Sequence, residues 1–295
     1  MLFKNAFIYI FDNNQITQND IENVINSNTD RLIKISEIED CSLSKIVNQP
    51  FYSANKCTLF GLERRKKIIP PSAIKKELEK RSSIVEAGGK KISKKEKRIL
   101  KESVINDLIR VALDRITIIY GYIDFKNNYL LVSTPSRTNA DFFVDCIRGI
   151  IGSLPVTPVI QGNAAEILTS WLKSKNLGLD DVIPNDFTIL DNILELVDNR
   201  KNCNKVLFYN QELTSSEVIK HLHNSKLVSK ISLSWDDKIQ FSLSTDNINL
   251  TKIKFINIEE EQEKNSDDAT QIDSDFAIMT SEFRALIGRI LEEIK

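Results

Sequence analysis

The chain alternates between two hydrophobic periods, and these periods assign a type to most of its segments. Apolar residues at every second position are typical of strands, whereas three- and four-residue spacing is typical of one helix face. The pattern predicts strands over 2–11, 31–38, 58–69, 115–125, 129–132, 205–209, 226–235, 238–244 and 250–256. It predicts helices over 17–25, 139–151, 164–173, 213–223 and 276–294. Strands and helices follow one another without a regular βαβ order, which favours the α+β class with mixed sheet domains.

Three stretches show neither period, and we expect irregular connections over 41–56, 152–158 and 257–275. The stretch 187–197 fits either a strand or a helix. Capping boxes, in which a Ser or Thr is followed three residues later by an acidic partner, mark several predicted helix starts. They are Thr17 with Asp20, Ser93 with Glu96, and Thr214 with Glu217.

The sequence pattern over residues 70–103 predicts a pair of helices that projects from the body of the protein. Ile74 and Leu78 begin an apolar row on one helix face, directly after two prolines, which are tolerated at a helix start. The Gly88–Gly89 pair then interrupts the row, because glycine weakens a helix and permits a tight turn. A second helix follows. Its apolar seam is thin and its outer faces are basic, so we predict a projecting basic helical hairpin.

With 295 residues, the chain is long enough for about two domains with cores of their own. We predict a central α+β domain formed by 1–69 and 104–175. The hairpin at 70–103 is inserted between these two parts as a tip. A polar segment around Gly178 marks the predicted boundary, and we predict a C-terminal α+β domain, the base, over 176–295.

The basic residues are concentrated in one stretch of the chain. Between positions 62 and 101, fifteen Lys or Arg stand against five Glu, a net charge of +10 in a chain whose total is −1. Such charge repels itself, and a polyanion such as the phosphate backbone of nucleic acid would explain it. A solvated helical surface is the alternative explanation. The residues predicted to contact phosphate are Arg64, Arg65, Lys66, Lys67, Lys75, Lys76, Lys94, Lys95, Lys97 and Arg98.

Motifs for catalysis, metal binding and membrane insertion are not found. The four cysteines form no C-x-x-C pair, and the only histidines, His221 and His223, lie far from the first three cysteines, so no metal site is predicted. Free thiols and the lack of a signal-like start favour the cytoplasm. No apolar run approaches the ~18 residues of a membrane span. Without a nucleotide-phosphate loop or a nucleophile–base pair, we predict no catalytic residue and no cofactor.

Two short motifs are typical of RNA-binding modules, but each has a simpler explanation. Gly149 and Gly152 have the spacing of a KH-domain loop, yet they more readily mark the end of a helix. The aromatic run at 120–125 has the character of an RRM strand that stacks bases. Its tyrosines share one strand face with Ile118 and would pack a core, so we assign no base stacking to them.

The order of motifs resembles the bacterial recombination-associated protein RdgC family over essentially the whole chain. The motifs that carry the resemblance are Met1-Leu2-Phe3-Lys4-Asn5; Lys67-Ile68-Ile69-Pro70 with Ile74-Lys75; Gly152-Ser153-Leu154-Pro155-Val156 with Pro158; Leu213-Thr214-Ser215 with Glu217; Trp235 with Ile239-Gln240-Phe241; and Asp275-Phe276 with Met279-Thr280. Each motif is short, but the ordered set at matching separations is specific. The region 11–56 looks less like the family, and the turn at 209–212 lacks the Lys or Arg that relatives often carry.

The resemblance implies a nucleoid-associated protein that binds double-stranded DNA with little sequence preference and has no enzymatic activity. It further implies a ring-shaped homodimer with a basic central hole, in which the projecting helices form one of two dimer contacts. The family restrains a RecA-type recombinase, so this chain is expected to limit that enzyme's access to DNA.

Two other hypotheses remain open at this stage. The first is a metal-dependent enzyme that processes nucleic acid, which would require convergent carboxylates or a Cys/His cluster. The second is a protein-interaction module whose basic arm meets an acidic partner, for example the segment 257–275 of another copy. A test for cleavage of labelled DNA with Mg²⁺ or Mn²⁺ separates the enzyme from the other two.

Overall fold

The computed structural model of this chain describes residues 2–12, 16–89, 92–179, 182–198, 204–256 and 268–294. Within these ranges it contains thirteen strands and seven helices. The strands are β1 (Asn5–Phe11), β2 (Ile33–Ser36), β3 (Glu39–Ser44), β4 (Phe51–Ala54), β5 (Cys57–Lys67), β6 (Asp114–Asp124), β7 (Tyr129–Val132), β8 (Val156–Pro158), β9 (Phe187–Asp198), β10 (Lys205–Tyr209), β11 (Lys226–Trp235), β12 (Ile239–Ser244) and β13 (Asn249–Phe255). The helices are α1 (Gln18–Ser27), α2 (Pro71–Ala87), α3 (Lys94–Val111), α4 (Arg137–Ile151), α5 (Ala164–Leu177), α6 (Ser216–His223) and α7 (Asp268–Glu293).

The strands form one sheet in the order β10-β9-β11-β12-β13-β1-β7-β6-β5-β3-β2, with β4 beside β5 and β8 beside β1. The pairings are antiparallel. Strand β1 lies between β13 and β7, so the first strand of the chain joins the C-terminal strands to the N-terminal ones. The mixed α and β content is confirmed, in the form of a large antiparallel sheet. The division into domains remains a prediction. Strands from both sides of residue 175 belong to the same sheet.

The sheet separates two hydrophobic cores, and β1 contributes to both. Ile8 belongs to a core that also contains Trp171 of α5 and Phe283 of α7. The next residue, Tyr9, belongs to a second core with Phe143 of α4. Successive side chains of a strand point to opposite faces, which explains the division. Helices α5, α6 and α7 therefore cover one face of the sheet, and α1 and α4 contribute to the core on the other.

Helix α4 packs closely against the sheet beside the basic end of β5, which carries Arg64, Arg65, Lys66 and Lys67. The ring of Phe143 stacks on Phe60 of β5 with centroids 5.6 Å apart. A Cβ atom at Gly121 of β6 would lie 2.6 Å from this ring, so only glycine permits the contact. The packing brings the first turns of α4 beside Arg64, near the end of β5.

The long helix α7 is tied to the sheet by a buried ion pair. Arg284 donates from Nε to Oδ2 of Asp124 at 2.6 Å and from Nη2 to Oδ1 at 3.1 Å. Asp124 is 1% exposed and also accepts from the backbone N–H groups of Lys126 and Asn127. This pair fixes α7 against the turn that follows β6, 160 residues away along the chain.

Several sequence-based assignments require correction. The stretch 41–56 is not irregular, because it holds most of β3 and all of β4. Ser42 and Ser44 are buried in β3, and these small polar residues hid its alternation. The connector at 152–158 contains the short strand β8, and the ambiguous stretch 187–197 is the strand β9. Of the predicted loop 257–275, residues 257–267 lie outside the described residues, and the remainder belongs to α7.

Two of the three predicted capping boxes are confirmed. At the start of α1, Thr17 and Asp20 exchange hydrogen bonds, and Ser93 and Glu96 do so at the start of α3. The third is wrong. Helix α6 begins after Ser215, which makes no side-chain capping bond, and Thr214 instead donates to Glu212.

Candidate nucleic-acid interface

The four basic residues at the end of β5 lie on alternate faces of the sheet. On the α4 side, Glu39 of β3 pairs with Arg64 at 2.5 Å and with Lys66 at 3.6 Å. Arg64 also donates to Asn139 Oδ1 at 3.3 Å, and its guanidinium carbon lies 4.2 Å from the centroid of the Phe142 ring. These contacts hold the Arg64 side chain in one place and compensate much of its charge.

The other face of the same strand end is compensated in the same way. Arg65 Nε donates to Glu63 at 2.6 Å, and this hydrogen bond is the main reason why the pKa of Arg65 is raised. Lys67 Nζ lies 3.2 Å from Asp114 Oδ1 across the β5–β6 pairing. Each of the four cations predicted here therefore has a carboxylate partner. The net charge at the end of β5 is much lower than the run of Arg and Lys indicates.

Helices α2 and α3 expose most of their surface. None of the seventeen residues of α2 is buried, and Val104 alone is buried among the residues of α3, all of which the structure describes. The two helices are joined through Arg81, which donates to Glu77 at 3.0 Å on its own helix and to Asp107 at 2.8 Å on α3. Both hydrogen bonds raise the pKa of Arg81, that of Asp107 more strongly.

The predicted contact residues on these helices face water. Arg98 pairs with Glu102 at 3.2 Å, and Lys75 approaches Glu79 at 3.9 Å. The Arg98 and Glu102 side chains are 83% and 61% exposed, and such surface pairs contribute only ~0–1 kcal/mol, so the cation remains available. The remaining predicted residues have no carboxylate partner within the part of the chain that the structure describes. They are Lys76, Lys94, Lys95 and Lys97.

A groove between α2 and α3 gathers several of these cations. Its apolar floor is formed by Pro71, Ile74 and Leu78, and its volume is about 540 Å³. Its basic residues are Lys75, Lys94, Lys97, Arg98 and Lys101. The first half of α2 thus lies across from the first half of α3.

The structure therefore divides the predicted contact residues into two groups. Lys75, Lys94, Lys97 and Arg98 come together in the groove, whereas Lys76 and Lys95 are exposed outside it. The residues at the end of β5 form a separate, largely compensated group. Two further cations complete these groups and were not among the predicted contacts. Lys101 lines the groove, and Arg115 lies opposite Lys66 in a pocket of about 260 Å³ that Arg64 also lines. The local charge of the stretch could have identified Lys101, whereas Arg115 required the strand register.

The described residues offer no cluster of three or more His, Cys, Asp or Glu side chains that could hold a metal ion. His221 packs against the ring of Phe208, with centroids 5.8 Å apart. Tyr122 is buried against Phe3 and Phe276, so this tyrosine packs a core as expected, whereas Ile118 on the same strand face is 40% exposed and does not. None of the helices in the described ranges has both the length and the apolar character needed to cross a bilayer.

Comparison with known proteins relates the whole chain to one family. A family model described as "Putative exonuclease, RdgC" matches residues 1–295. The recombination-associated protein RdgC of Psychromonas ingrahamii is 30% identical over 303 aligned positions, which cover 99% of this chain and 97% of the relative. The protein of the same name from Yersinia enterocolitica is 33% identical over 248 positions, which cover 82% and 79% respectively. The chain therefore belongs to the RdgC family.

Proposed function

We propose that this protein binds double-stranded DNA without sequence preference and, as a ring-shaped homodimer around the duplex, limits the access of a RecA-type recombinase. The observation that carries the proposal is the set of exposed cations at the start of α3, where Lys94, Lys95 and Lys97 have no carboxylate partner among the described residues. Phosphate oxygens are the partner that such a surface fits. The recombination-associated names of the relatives support a role in recombination.

The proposed mode of binding is electrostatic. Lys and Arg side chains at phosphates set affinity and register but carry no sequence information. The cations of α2 and α3 sit on helices that bury almost nothing, so they can approach a duplex from its outside. The compensated residues at the end of β5 contribute less, because each must first exchange a carboxylate for a phosphate.

The proposed ring uses α2 and α3 as projecting arms. With seventeen residues, α2 is about 25 Å long at ~1.5 Å per residue, a length comparable to the width of a duplex. A two-fold dimer makes each contact self-complementary, arm to arm and body to body, so two different contacts close a ring. The arm contact is the smaller and openable one, since charged residues outnumber the exposed apolar residues of these helices, such as Ile84 and Ile99.

Charge reversal tests the DNA-binding proposal. A variant with Lys94→Glu, Lys95→Glu, Lys97→Glu and Arg98→Glu is compared with a control of equal charge change on exposed lysines elsewhere in the chain, Lys4→Glu, Lys126→Glu, Lys173→Glu and Lys220→Glu. Fluorescence anisotropy with labelled duplexes of unrelated sequence measures the affinity. For ~6–10 phosphate contacts, wild-type affinity should fall on the order of 10³–10⁵-fold between about 50 and 200 mM salt. The first variant should lose most of this affinity on all sequences, and the control should lose much less. Equal losses in both would contradict a site on α3.

The second candidate function is a nuclease, which the description of the family model favours. End-labelled single- and double-stranded DNA incubated with the purified protein and Mg²⁺ or Mn²⁺ decides between the two. We expect intact DNA at protein concentrations that saturate binding. If DNA cleavage activity elutes together with the protein in gel filtration, the protein is instead a nuclease.

A further inference from the structure

The groove between α2 and α3 combines two chemical properties that DNA binding alone does not use. Its floor of Pro71, Ile74 and Leu78 is apolar, and Ile74 and Leu78 are only half-buried. Its walls carry five cations from both helices. No Asp or Glu occurs among the described residues that line it. A bound phosphate backbone would pair with the Lys and Arg side chains of the walls, but the apolar side chains of the floor would stay in contact with water.

We propose that this groove binds an acidic peptide segment of a partner protein, one that carries a large apolar side chain among its carboxylates. The apolar side chain lies on the floor formed by Ile74 and Leu78, and the carboxylates face the Lys and Arg head groups. The volume of about 540 Å³ is within the ~300–1,000 Å³ of ligand sites, so it holds an aromatic or leucine side chain together with adjacent backbone.

Charge complementarity selects this occupant over a neutral peptide. Five like charges around an apolar floor repel one another, and several carboxylates spaced along a short segment relieve that repulsion. Lys and Arg can also lay their hydrocarbon stems along an apolar side chain while their charged ends meet the carboxylates. The proposed peptide uses Lys94, Lys97 and Arg98, which are also proposed DNA contacts. A partner with such a segment therefore competes with DNA and can release the protein from it.

The inference reaches beyond DNA binding, and its test separates the two. The probe is a short fluorescein-labelled peptide rich in Asp with a single Phe, and its matched control carries Ser in place of Phe. Wild-type protein should bind the Phe peptide about tenfold or more tightly than the Ser peptide, because only the former buries a large apolar side chain. Equal binding of the two peptides, or binding of neither, would overturn the proposal.

Variants of the floor provide the second measurement. Leu78→Gln keeps the helix-forming tendency and all cations of the groove. It should weaken binding of the Phe peptide by about tenfold while leaving duplex affinity unchanged. The matched control is Ile84→Gln on the same helix, since Ile84 is 66% exposed and does not line the groove. Circular dichroism checks that each variant stays folded. If Leu78→Gln unfolds, the comparison of the two peptides on wild-type protein still decides.

Two outcomes identify a different occupant. If Leu78→Gln lowers the oligomeric mass measured by light scattering while wild type binds neither peptide, a second copy of the chain occupies the groove and the proposal is wrong. If the floor variant loses duplex affinity to the same extent as peptide affinity, the groove serves DNA and the proposal is also wrong. Loss of peptide binding with unchanged duplex affinity and mass supports it.

Discussion

Glu39 and Arg64 form an ion pair of 2.5 Å between neighbouring strands, and the same carboxylate lies 3.6 Å from Lys66. One acidic residue thus compensates two of the cations predicted to contact DNA. The Glu39 side chain is only 11% exposed, so solvent screens the interaction little. The positive charge that this strand end can offer to a phosphate therefore depends on a residue that is 25 positions away from Arg64 along the chain.

Replacing that carboxylate should increase DNA binding. In Glu39→Gln, Arg64 and Lys66 lose their anionic partner and become available to phosphates. We expect higher duplex affinity at low salt and a salt slope steeper by about one for each freed contact. Stability should fall by about 1.5–3 kcal/mol, the usual contribution of a hydrogen bond to a charged group. The control is Glu37→Gln, an exposed neighbour with the same charge change. If both variants bind alike, the cations of β5 do not contact DNA.

Removing the cation that ties α7 to the sheet should strongly destabilise the fold. Arg284→Met leaves the buried carboxylate of Asp124 without its ionic partner, and breaking such a pair costs about 3–5 kcal/mol. Urea denaturation measures the free energy of unfolding. The double variant Arg284→Met with Asp124→Asn should recover part of the loss, because the carboxamide oxygen still accepts from the backbone N–H groups of the turn. A loss below about 1 kcal/mol would mean that water reaches this carboxylate.

The contribution of Asp186 should depend on pH. Arg289 hydrogen-bonds this carboxylate at 2.9 Å and lowers its pKa, and Trp235 Nε1 donates to it at 3.2 Å. A carboxyl group whose pKa is lower in the folded state than in the unfolded state stabilises the fold. The stabilisation is complete above the unfolded pKa of about 3.9, and it is lost as the pH falls through the pKa of the folded state. Asp186→Asn should thus be less stable than wild type by about 1–2 kcal/mol near pH 7.

The difference between wild type and Asp186→Asn should shrink as the pH is lowered below about 4. Urea titrations of both proteins across this pH range provide the measurement. A constant difference from neutral to acidic pH would show that packing, and not ionisation, determines the role of this side chain.

The ring proposal requires that the arms open before circular DNA can enter. Ala87→Cys places a thiol beside Gly88 at the end of α2, where a bis-maleimide should join the two arms of the proposed dimer. We expect the joined dimer to bind linear duplexes by threading and to lose binding to closed circles. The same protein without the cross-linker, and Ser216→Cys on the distant α6 treated in parallel, serve as controls. Equal binding of the joined dimer to both DNA forms would place the DNA on an outer surface.

Inhibition of the recombinase should follow occupancy of the DNA. A protein that covers the duplex without sequence preference limits access wherever it sits, so no contact with the recombinase is required. Strand-exchange assays at increasing duplex concentration should show that inhibition weakens as unoccupied DNA accumulates. The charge-reversal variant of α3 should not inhibit. Inhibition that persists in saturating DNA would instead indicate a direct contact between the two proteins.

Local patterns were sufficient for much of the secondary structure. The Ser93–Glu96 capping box begins α3, and the hairpin between β11 and β12 turns at Asp236 and Asp237 with left-handed φ values of 50° and 49°. Period and capping act over a few residues, so a single sequence contains them. The excess of cations in 62–101 is likewise a local property. The pattern failed for β3, where Ser42 and Ser44 occupy buried positions that a period search reads as polar.

The availability of the cations could not be read from the same stretch. Glu39 and Asp114 compensate Arg64, Lys66 and Lys67 because strand pairing brings together residues that are 25 to 47 positions apart. The groove likewise depends on how α2 packs against α3, which brings Leu78 and Lys101 into the lining of one groove. Local propensity determines which segments form helices and strands. Long-range pairing and packing determine which charges meet, since Coulomb interactions depend on distance in space and not on separation along the chain.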